Sequence, residues 1–317
     1  MIGLENIGNT CYINSIIQIF IYNPFFIKTL YKELYTLKNP NNNNLLIEFK
    51  KIADEILINN SNSKGIRPIS FLQLLQKLWK IPINYQQDSH EVYQFILDIF
   101  INEIGIDYEY TVKGTIETLL DKLKLKAVDS FQKHFKKQYS LLVEIFYGQK
   151  MKHLKCFNCN CDYEEHIFEI FNTILLPINL SNNLIENINE YFEWDSMDDF
   201  ICPKCSSKKI KSKYYFWKLP KVLSIVLKRF NNLEQKNNNL IDIPLDLNIN
   251  NFCIQNTKNK IYKLNSIVNH IGNLNMGHYY STILHNNKWY NCNDLHISEI
   301  EQNDIINNNN YILYYFN

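Results

Sequence analysis

Two Cys-x-x-Cys pairs constrain the fold of this chain more than any other feature of its sequence. Cys156 and Cys159 form the first pair, and Cys202 and Cys205 form the second. Four thiolates in two such pairs are the usual ligands of a tetrahedral Zn²⁺ ion, although Cys161 could compete as a ligand. The ion would join two segments that are far apart in the chain. Because sulfur would fill all four positions, we expect the zinc to be structural and not catalytic.

The hydrophobic pattern changes along the chain and predicts an α+β fold. Between residues 25 and 105 the apolar positions recur with the period of helices. From Val143 onward the pattern is typical of strands, which we expect at residues 143–148, 169–178 and 214–227. The sequence therefore predicts a helical N-terminal part followed by a β-rich remainder.

Charge and composition argue against several classes of partner. The 33 Lys and Arg residues nearly balance the 32 Asp and Glu residues, and the net charge of +1 predicts affinity for neither nucleic acid nor a membrane surface. Polar residues and Pro24 interrupt the most apolar run, residues 13–27, so it is not expected to span a membrane. With no leader pattern at the start, we expect an intracellular protein, cytoplasmic, nuclear or both.

The first predicted helix points to a reactive thiol. Its apolar stripe starts at Ile13, which places Cys11 in the first turn. There, unpaired N–H groups and the helix dipole favour a thiolate. Gly8 allows a tight turn before the helix, and Asn6 offers an amide that could stabilise an oxyanion. The alternative is a small cysteine that is buried at a helix start for packing alone.

A predicted β-hairpin brings a histidine close to an amide and a carboxylate. The two-residue turn at residues 286–287 fixes the register of its strands. In that register His278 lies opposite Leu295, within reach of Asn293 and Asp294. A thiol at a helix start, a histidine and an Asn or Asp are the three members of a cysteine-protease triad, in the chain order of papain-like enzymes.

Residues 86–100 predict another helix, and polar side chains cluster at its start. Asp88 and Glu91 have the spacing of a capping box, which would by itself explain Asp88. Gln87 and His90 are not needed for capping. Capping therefore does not explain these two side chains.

Five ordered motifs, which cover nearly the whole chain, resemble those of the ubiquitin-specific proteases. GLENIGNTCYINS at residues 3–15 resembles the family's Cys box, and QQDSHE at residues 86–91 its QQD segment. The two Cys-x-x-Cys pairs are similar to those of its zinc-bearing fingers, and LPKVLSIVLKRF at residues 219–230 to the start of its palm. Its His box and final strand are matched by residues 269–270, 277–279, 289–294 and 311–316. Cys292 departs from the family pattern, which usually has an aromatic residue there.

The resemblance implies a papain-like cysteine protease fold in a single catalytic domain, residues 1–317. Residues 1–140 would form a mainly helical thumb, residues 141–222 the zinc-bearing fingers, and residues 223–317 the palm. The implied activity is thiol-dependent hydrolysis of the isopeptide or peptide bond after the C-terminal glycine of ubiquitin. The implied partners are ubiquitin and ubiquitinated proteins, and we expect a monomer.

The resemblance also implies a role for each candidate residue. Cys11 would be the nucleophile, His278 the base, and Asn6 the side-chain donor to the oxyanion. Asn293 would be the third member of the triad, with Asp294 beside it as the alternative. The residues expected to hold the tail of ubiquitin are Gln87, Asp88, His90 and Tyr279.

Three other functions remain open at this point. The first is a catalytically inactive module that binds ubiquitin. The second is a protease for a ubiquitin-like modifier, which the same scaffold could serve. The third is a zinc ribbon that binds nucleic acid through the lysines of residues 204–213, although the balanced charge argues against it.

Overall fold

The computed structural model describes residues 1–34, 37, 44–58, 65–82, 85–158, 160–178, 181–230, 235–254, 260–273 and 276–317. Of the residues predicted to have a role, Cys159 lies outside the described residues. The predicted α+β class is confirmed, with helices up to residue 146 and mainly strands after it.

Seven of the α-helices in the described ranges precede the first strand and are called the thumb. The α-helices are, in chain order, α1 (Cys11–Ile21), α2 (Pro24–Glu33), α3 (Leu45–Leu57), α4 (Ile69–Trp79), α5 (Ser89–Ile104), α6 (Leu119–Phe135), α7 (Leu141–Phe146) and α8 (Leu184–Tyr191). Short 3₁₀ helices in the described ranges include Asn250–Phe252 and Gln302–Asp304.

The strands of the described residues form two sheets. They are β1 (Gly148–Cys156), β2 (Glu164–Phe171), β3 (Thr173–Pro177), β4 (Asp195–Ser196), β5 (Ile210–Lys218), β6 (Val222–Lys228), β7 (Asp246–Asn248), β8 (Ile261–Gly272), β9 (Gly277–His285), β10 (Lys288–Asn293), β11 (His296–Ile300) and β12 (Asn310–Phe316). The smaller sheet, called the fingers, has the order β2-β1-β5-β4. The larger sheet, called the palm, has the order β11-β10-β9-β8-β12-β6-β3, with β7 paired to β8.

The last strand, β12, lies inside the palm between β8 and β6. Ile312 pairs with Val226 of β6 on one side and with Val268 of β8 on the other. β6 is buried except at its last residue, and a strand covered on both faces reads as a continuous apolar run. β3 also belongs to the palm, parallel to β6, although it falls within the range assigned to the fingers. The exact thumb, finger and palm boundaries stay a prediction.

The prediction of a strand at residues 143–148 is wrong. Helix α7 occupies Leu141–Phe146, and strand β1 begins only at Gly148. The apolar residues of α7 are almost all buried. A short apolar run fits a buried helix as well as a buried strand, so its pattern alone does not separate the two.

The apolar run at residues 13–27 forms two helices. α1 ends at Ile21, and α2 begins at Pro24, where the side chain of Asn23 accepts hydrogen bonds from two N–H groups of the first turn. No helix among the described residues is both long and apolar enough to cross a membrane.

An aromatic cluster surrounds the first helix of the thumb. The ring of Phe20 lies 4.8 to 6.2 Å, centroid to centroid, from the rings of Phe26, Phe49, Phe100 and Phe146. Every residue of α1 is buried, since α5 packs against it from the thumb and β9 from the palm. A helix covered on all sides belongs to the interior. Cys11 is thereby held between thumb and palm.

The hairpin register predicted from the two-residue turn is confirmed. Lys288 pairs with His285, and the same register continues along β9 and β10. Asn286 and Asn287 have φ of +50° and +62°. A type I′ turn requires positive φ at both central residues, and asparagine tolerates it.

Candidate active site

Cys11 is the first residue of α1 and is only 1% exposed. Gly8 and Asn9 both have positive φ, +70° and +58°, and they turn the chain into the helix, for which Thr10 is the N-cap. The tight turn expected at Gly8 is therefore present. The first N–H groups of a helix have no partner within the helix, so the N–H of Cys11 can donate to an oxyanion.

His278, near the start of β9, interacts with both Cys11 and Asn293. Its Nε2 lies 2.6 Å from Oδ1 of Asn293. The hydrogen bond with Cys11 is the main cause that raises the pKa of His278 to about 9, and it outweighs burial, which lowers the pKa. The structure thus brings together a thiol, an imidazole and an amide, with the imidazole protonated at neutral pH.

The carboxylate of Asp294 accepts hydrogen bonds from two asparagines of the N-terminal segment. Nδ2 of Asn6 lies 2.8 Å from Oδ2, and Nδ2 of Asn14 lies 2.8 Å from Oδ1. Of the two candidates for the third triad member, Asn293 is the one hydrogen-bonded to His278, whereas Asp294 holds Asn6. Sequence analysis gave Asn14 no role, and its only signal was a polar residue one turn after Cys11.

The side-chain amide of Asn6 is held at both ends. Its Oδ1 accepts from the N–H of Thr10, at 2.9 Å, and from the hydroxyl of Thr10, at 3.2 Å. Because Nδ2 faces a carboxylate, the opposite assignment of oxygen and nitrogen would place acceptor against acceptor. An amide nitrogen carries two hydrogens, and Asp294 uses one of them. The other can donate to an oxyanion.

Close backbone contacts hold the N-terminal segment against the turn after β10. The N–H of Leu4 donates to the carbonyl of Asp294 at 2.9 Å. A Cβ at Gly3 would lie 2.4 Å from the carbonyl oxygen of Leu295, so only glycine fits there. Asp294 itself has a φ of +50°, which Asp and Asn tolerate better than most residues. These contacts fix Asn6 relative to Asn293.

A cleft of about 230 Å³ lies next to His278, between thumb and palm. Of the four residues predicted to hold the substrate, Gln87, Asp88 and Tyr279 line it, and His90 is not among its lining residues. His270, to which the sequence assigned no role, is buried in the same wall. Burial, more than the nearby charges, lowers the pKa of His270 to about 4, so this side chain is neutral.

Asp88 combines two structural hydrogen bonds at the edge of this cleft. Its Oδ1 accepts from the N–H of His90 at 2.7 Å, and its Oδ2 accepts from the hydroxyl of Tyr311 at 2.6 Å. Asp88 is therefore the N-cap of α5. Its side chain accepts from the N–H of His90 and not from that of Glu91, so the prediction of a capping box is wrong. A carboxylate has about four lone-pair sites, and capping leaves capacity for a further donor.

Gln86 joins thumb to palm next to His278, although sequence analysis did not single it out. Its Nε2 donates to the carbonyl of Gly277, and its Oε1 accepts from the N–H of Gly277 at 2.7 Å. Both backbone groups of the residue before His278 are thereby held. No local pattern reveals this contact, because it joins residues 191 positions apart.

Four thiols lie together in the fingers. They belong to Cys156, Cys161, Cys202 and Cys205, and all lie within 4.8 Å of one another. The sulfurs of Cys156 and Cys205 are 3.7 Å apart. A tetrahedral ion with metal–sulfur bonds of ~2.3 Å needs sulfurs about 3.8 Å apart, so the group fits a metal ion. The thiol of Cys161, proposed from the sequence only as a competitor, is one of the four.

Comparison with known proteins finds one family over nearly the whole chain. The family model described as "Ubiquitin carboxyl-terminal hydrolase" matches residues 2–315. Ubiquitin carboxyl-terminal hydrolase 8 of Saccharomyces cerevisiae is 29% identical over 99% of this chain and 70% of its own length. A probable ubiquitin carboxyl-terminal hydrolase, R319, of Acanthamoeba polyphaga mimivirus is 26% identical over 99% of this chain and 89% of its own length. Human ubiquitin carboxyl-terminal hydrolase 2 is 27% identical over 99% of this chain and 54% of its own length.

Solved structures with the same fold also match the whole chain. A structure of the yeast SAGA DUB module superposes with a TM-score of 0.80 at 26% identity, and the match covers 100% of this chain and 68% of that one. The SAGA Ubp8/Sgf11/Sus1/Sgf73 DUB module bound to ubiquitin aldehyde gives a TM-score of 0.76 at 26% identity, with coverages of 100% and 69%. The predicted fold class is confirmed by this similarity.

Proposed function

Since the chain belongs to the ubiquitin carboxyl-terminal hydrolase family of cysteine-type thiol proteases, we propose that it hydrolyses the isopeptide or peptide bond after the C-terminal glycine of ubiquitin. The observation that carries the proposal is the contact of His278 with both Cys11 and Asn293, next to a cleft between thumb and palm. In this proposal Cys11 is the nucleophile, His278 the general acid and base, and Asn293 the residue that orients the imidazole.

The first half of the reaction forms a thioester. The thiolate of Cys11 attacks the carbonyl carbon of the ubiquitin glycine, and the carbonyl electrons move to oxygen. The C–N bond then breaks while His278 donates its proton to the leaving amine of the substrate lysine. The hydrogen bond from Nε2 to Asn293 keeps the other ring nitrogen directed toward the sulfur and the leaving group.

The second half returns the enzyme to its starting state. His278, now neutral, accepts a proton from water as the water oxygen adds to the thioester carbonyl. The C–S bond breaks, ubiquitin leaves as a carboxylic acid that loses its proton to solvent, and the thiolate of Cys11 pairs again with protonated His278. In both halves the oxyanion accepts hydrogen bonds from Nδ2 of Asn6 and from the N–H of Cys11, and Asp294 keeps the amide of Asn6 in place.

The cleft suits an extended tail with basic side chains. Gln87, Asp88 and Tyr279 line it together with Glu91, and the two carboxylates favour the arginines of the ubiquitin tail. His90 contributes from behind this wall, through the N–H that Asp88 accepts. Ubiquitin and ubiquitinated proteins are therefore the proposed partners, inside the cell where such conjugates occur. A monomer remains the expected state, and sedimentation of the purified chain checks it.

Ubiquitin carrying a C-terminal electrophile tests the proposal directly. A covalent adduct with this probe is expected, together with little or no adduct from the same electrophile on ubiquitin-like modifiers. An adduct with a ubiquitin-like modifier alone would favour that class of substrate. Failure of a folded protein to react with any probe, while it still binds ubiquitin, would favour the inactive binding module.

The metal of the fingers is proposed to be a structural Zn²⁺ ion. Cys156, Cys161, Cys202 and Cys205 would hold it, and thiolate sulfur is the ligand that zinc prefers in closed tetrahedral sites. Bound there, the ion joins β1 to the segment before β5. Because all four positions are sulfur, the ion takes no part in the reaction.

Loss of this metal is expected to destabilise the fingers. Removal by a strong chelator, or the change Cys205→Ser, should lower Tm by about 10 °C. Metal present at about 1,000 times its Kd stabilises the folded state by ~4 kcal/mol, and each kcal/mol shifts Tm by ~2–4 °C. Cys253→Ser is the matched control, because Cys253 is a free thiol outside the cluster. Calorimetry measures the Tm of each variant, and zinc analysis measures its bound metal. An unchanged Tm after complete removal of metal would contradict the proposal.

The pH dependence follows from the raised pKa of His278. The interaction with Cys11 favours the protonated imidazole of His278. This interaction therefore contributes fully to the stability of the folded protein below the ordinary histidine pKa of 6.5, and the contribution is lost as pH rises through about 9. The rate constant kcat/KM should accordingly fall about tenfold per pH unit above pH 9. In NMR titration, Cys11→Ala should bring the pKa of His278 down toward 6.5. A value near 6.5 in the unmodified protein would refute the pairing.

A further inference from the structure

Two histidines and a glutamate meet on one face of the fingers, away from the four thiols. His153 of β1 pairs directly with His166 of β2, and Lys155 pairs with Glu164 in the same register. Side chains two positions apart on a strand share a face, so His166 and Glu164 lie side by side with His153 opposite. Cys156 is three positions from His153 and points to the other face of β1. The cluster is therefore separate from the thiol site.

The donor atoms of the three side chains are close to one another. One ring nitrogen of each histidine and one carboxylate oxygen of Glu164 all lie within 4.8 Å of each other. The two imidazole rings stack with their centroids 4.5 Å apart, and the ring of Trp194 packs against that of His153 at 5.3 Å. Donors of a tetrahedral ion with bonds of ~2.1 Å are about 3.4 Å apart. Rotation of the Glu164 carboxylate, whose side chain is 38% exposed, would shorten these distances.

The protonation and hydrogen bonding of the cluster leave lone pairs available. Nε2 of His153 is shielded from solvent and has no hydrogen-bond partner, since the nearest oxygen of Glu164 is 3.5 Å away. Burial is the main cause that lowers the pKa of His153 and of His166, which favours the neutral form of each ring. Lys155 holds the other oxygen of Glu164 at 2.7 Å, in the way that outer groups orient a carboxylate ligand.

We propose that His153, Glu164 and His166 form a second metal site, which binds Zn²⁺ through two imidazoles and one carboxylate. Such a ligand set suits borderline divalent ions and leaves the fourth position open to water. Glu164 is 38% exposed, so the ion enters from solvent. The cations Lys155 and Lys126 lie nearby and oppose a further positive charge. We therefore expect weaker and more readily reversible binding than at the four thiols.

Calorimetric titration of Zn²⁺ into the full chain, with the thiol site already filled, tests this proposal. One further equivalent should bind to the unmodified protein. The changes His153→Ala and His166→Ala should each weaken that binding by about 100-fold or more, because even outer groups of metal sites contribute ~10–100-fold. His134→Ala is the matched control, since His134 is exposed on α6 and lies outside the cluster; it should bind Zn²⁺ as the unmodified protein does.

A second readout separates loss of the site from loss of the fold. Zn²⁺ in excess over the thiol site should raise Tm in the unmodified protein and in His134→Ala, because an ion bound only to the folded state stabilises it. Glu164→Gln changes an exposed side chain and should reduce this rise without altering Tm in the absence of added Zn²⁺. The absence of a second equivalent, or its retention in both histidine variants or in Glu164→Gln, would overturn the proposal.

Discussion

Replacing Cys11 by alanine is expected to abolish turnover of ubiquitin conjugates and leave ubiquitin binding nearly unchanged. The thiol forms the bond to the substrate carbonyl in the proposed mechanism, and loss of a protease nucleophile lowers kcat by about 10⁶-fold. Cys11 is 1% exposed, so removing one sulfur atom takes little area from the binding surface. Steady-state cleavage of a ubiquitin fusion and calorimetric binding of ubiquitin measure the two quantities separately.

Two comparisons make this result specific to Cys11. Cys253→Ala removes a half-buried thiol and should leave turnover within about twofold, since Cys253 pairs with Phe216 of β5 and does not line the cleft. The probe adduct should disappear in Cys11→Ala and remain in Cys253→Ala. Turnover retained by Cys11→Ala, at any level above ~1% of the unmodified protein, would require a different nucleophile.

The change Asp294→Asn is expected to lower kcat by about 10²–10³-fold, although Asp294 is not the residue hydrogen-bonded to His278. Its two carboxylate oxygens accept from Asn6 and Asn14, and an amide in its place can accept only one of these bonds. Misplacing Asn6 removes one oxyanion donor, and such a loss typically has this magnitude. Asparagine tolerates the positive φ of this position, so backbone strain does not contribute.

A double-mutant cycle distinguishes the roles of Asp294 and Asn293. If Asp294 acts through Asn6, then Asp294→Asn should have little further effect in a protein that already carries Asn6→Ala. Asn293→Ala, which removes the partner of His278, should reduce kcat by about 10²-fold, and this loss should multiply with that of Asn6→Ala. If the loss caused by Asp294→Asn also multiplies with that of Asn6→Ala, then Asp294 does not act through Asn6. Tm of each variant monitors the fold.

The parts of the site that depend on local geometry could be predicted from the sequence. A two-residue turn sets the register of β9 and β10, and this register brings His278 within reach of Asn293. The helical stripe after Cys11 and the positive φ of Gly8 likewise follow from neighbouring residues. In each case the interacting groups are close in the chain, so few arrangements compete.

The contacts that could not be predicted join distant segments. Asp294 meets Asn6 only because Gly3 lets the N-terminal segment approach the turn after β10, and Gln86 reaches Gly277 across the cleft. These contacts depend on how thumb and palm dock, and no periodic pattern records that docking. Helix α7 was missed for another reason, since six mostly apolar residues fit a buried helix and a buried strand equally well.

The position of β12 has a consequence for how the protein is made. Residues 310–316 fill the gap between β6 and β8, so Val226 has its partner Ile312 only after residue 312 has left the ribosome. Until then the nascent chain carries two apolar strands with unpaired edges, which are prone to associate with other chains. Pairing over such sequence separations is also slow. We expect the newly made thumb to form first, and the proposed protease to gain activity only in a late step, after residues 310–316 have left the ribosome.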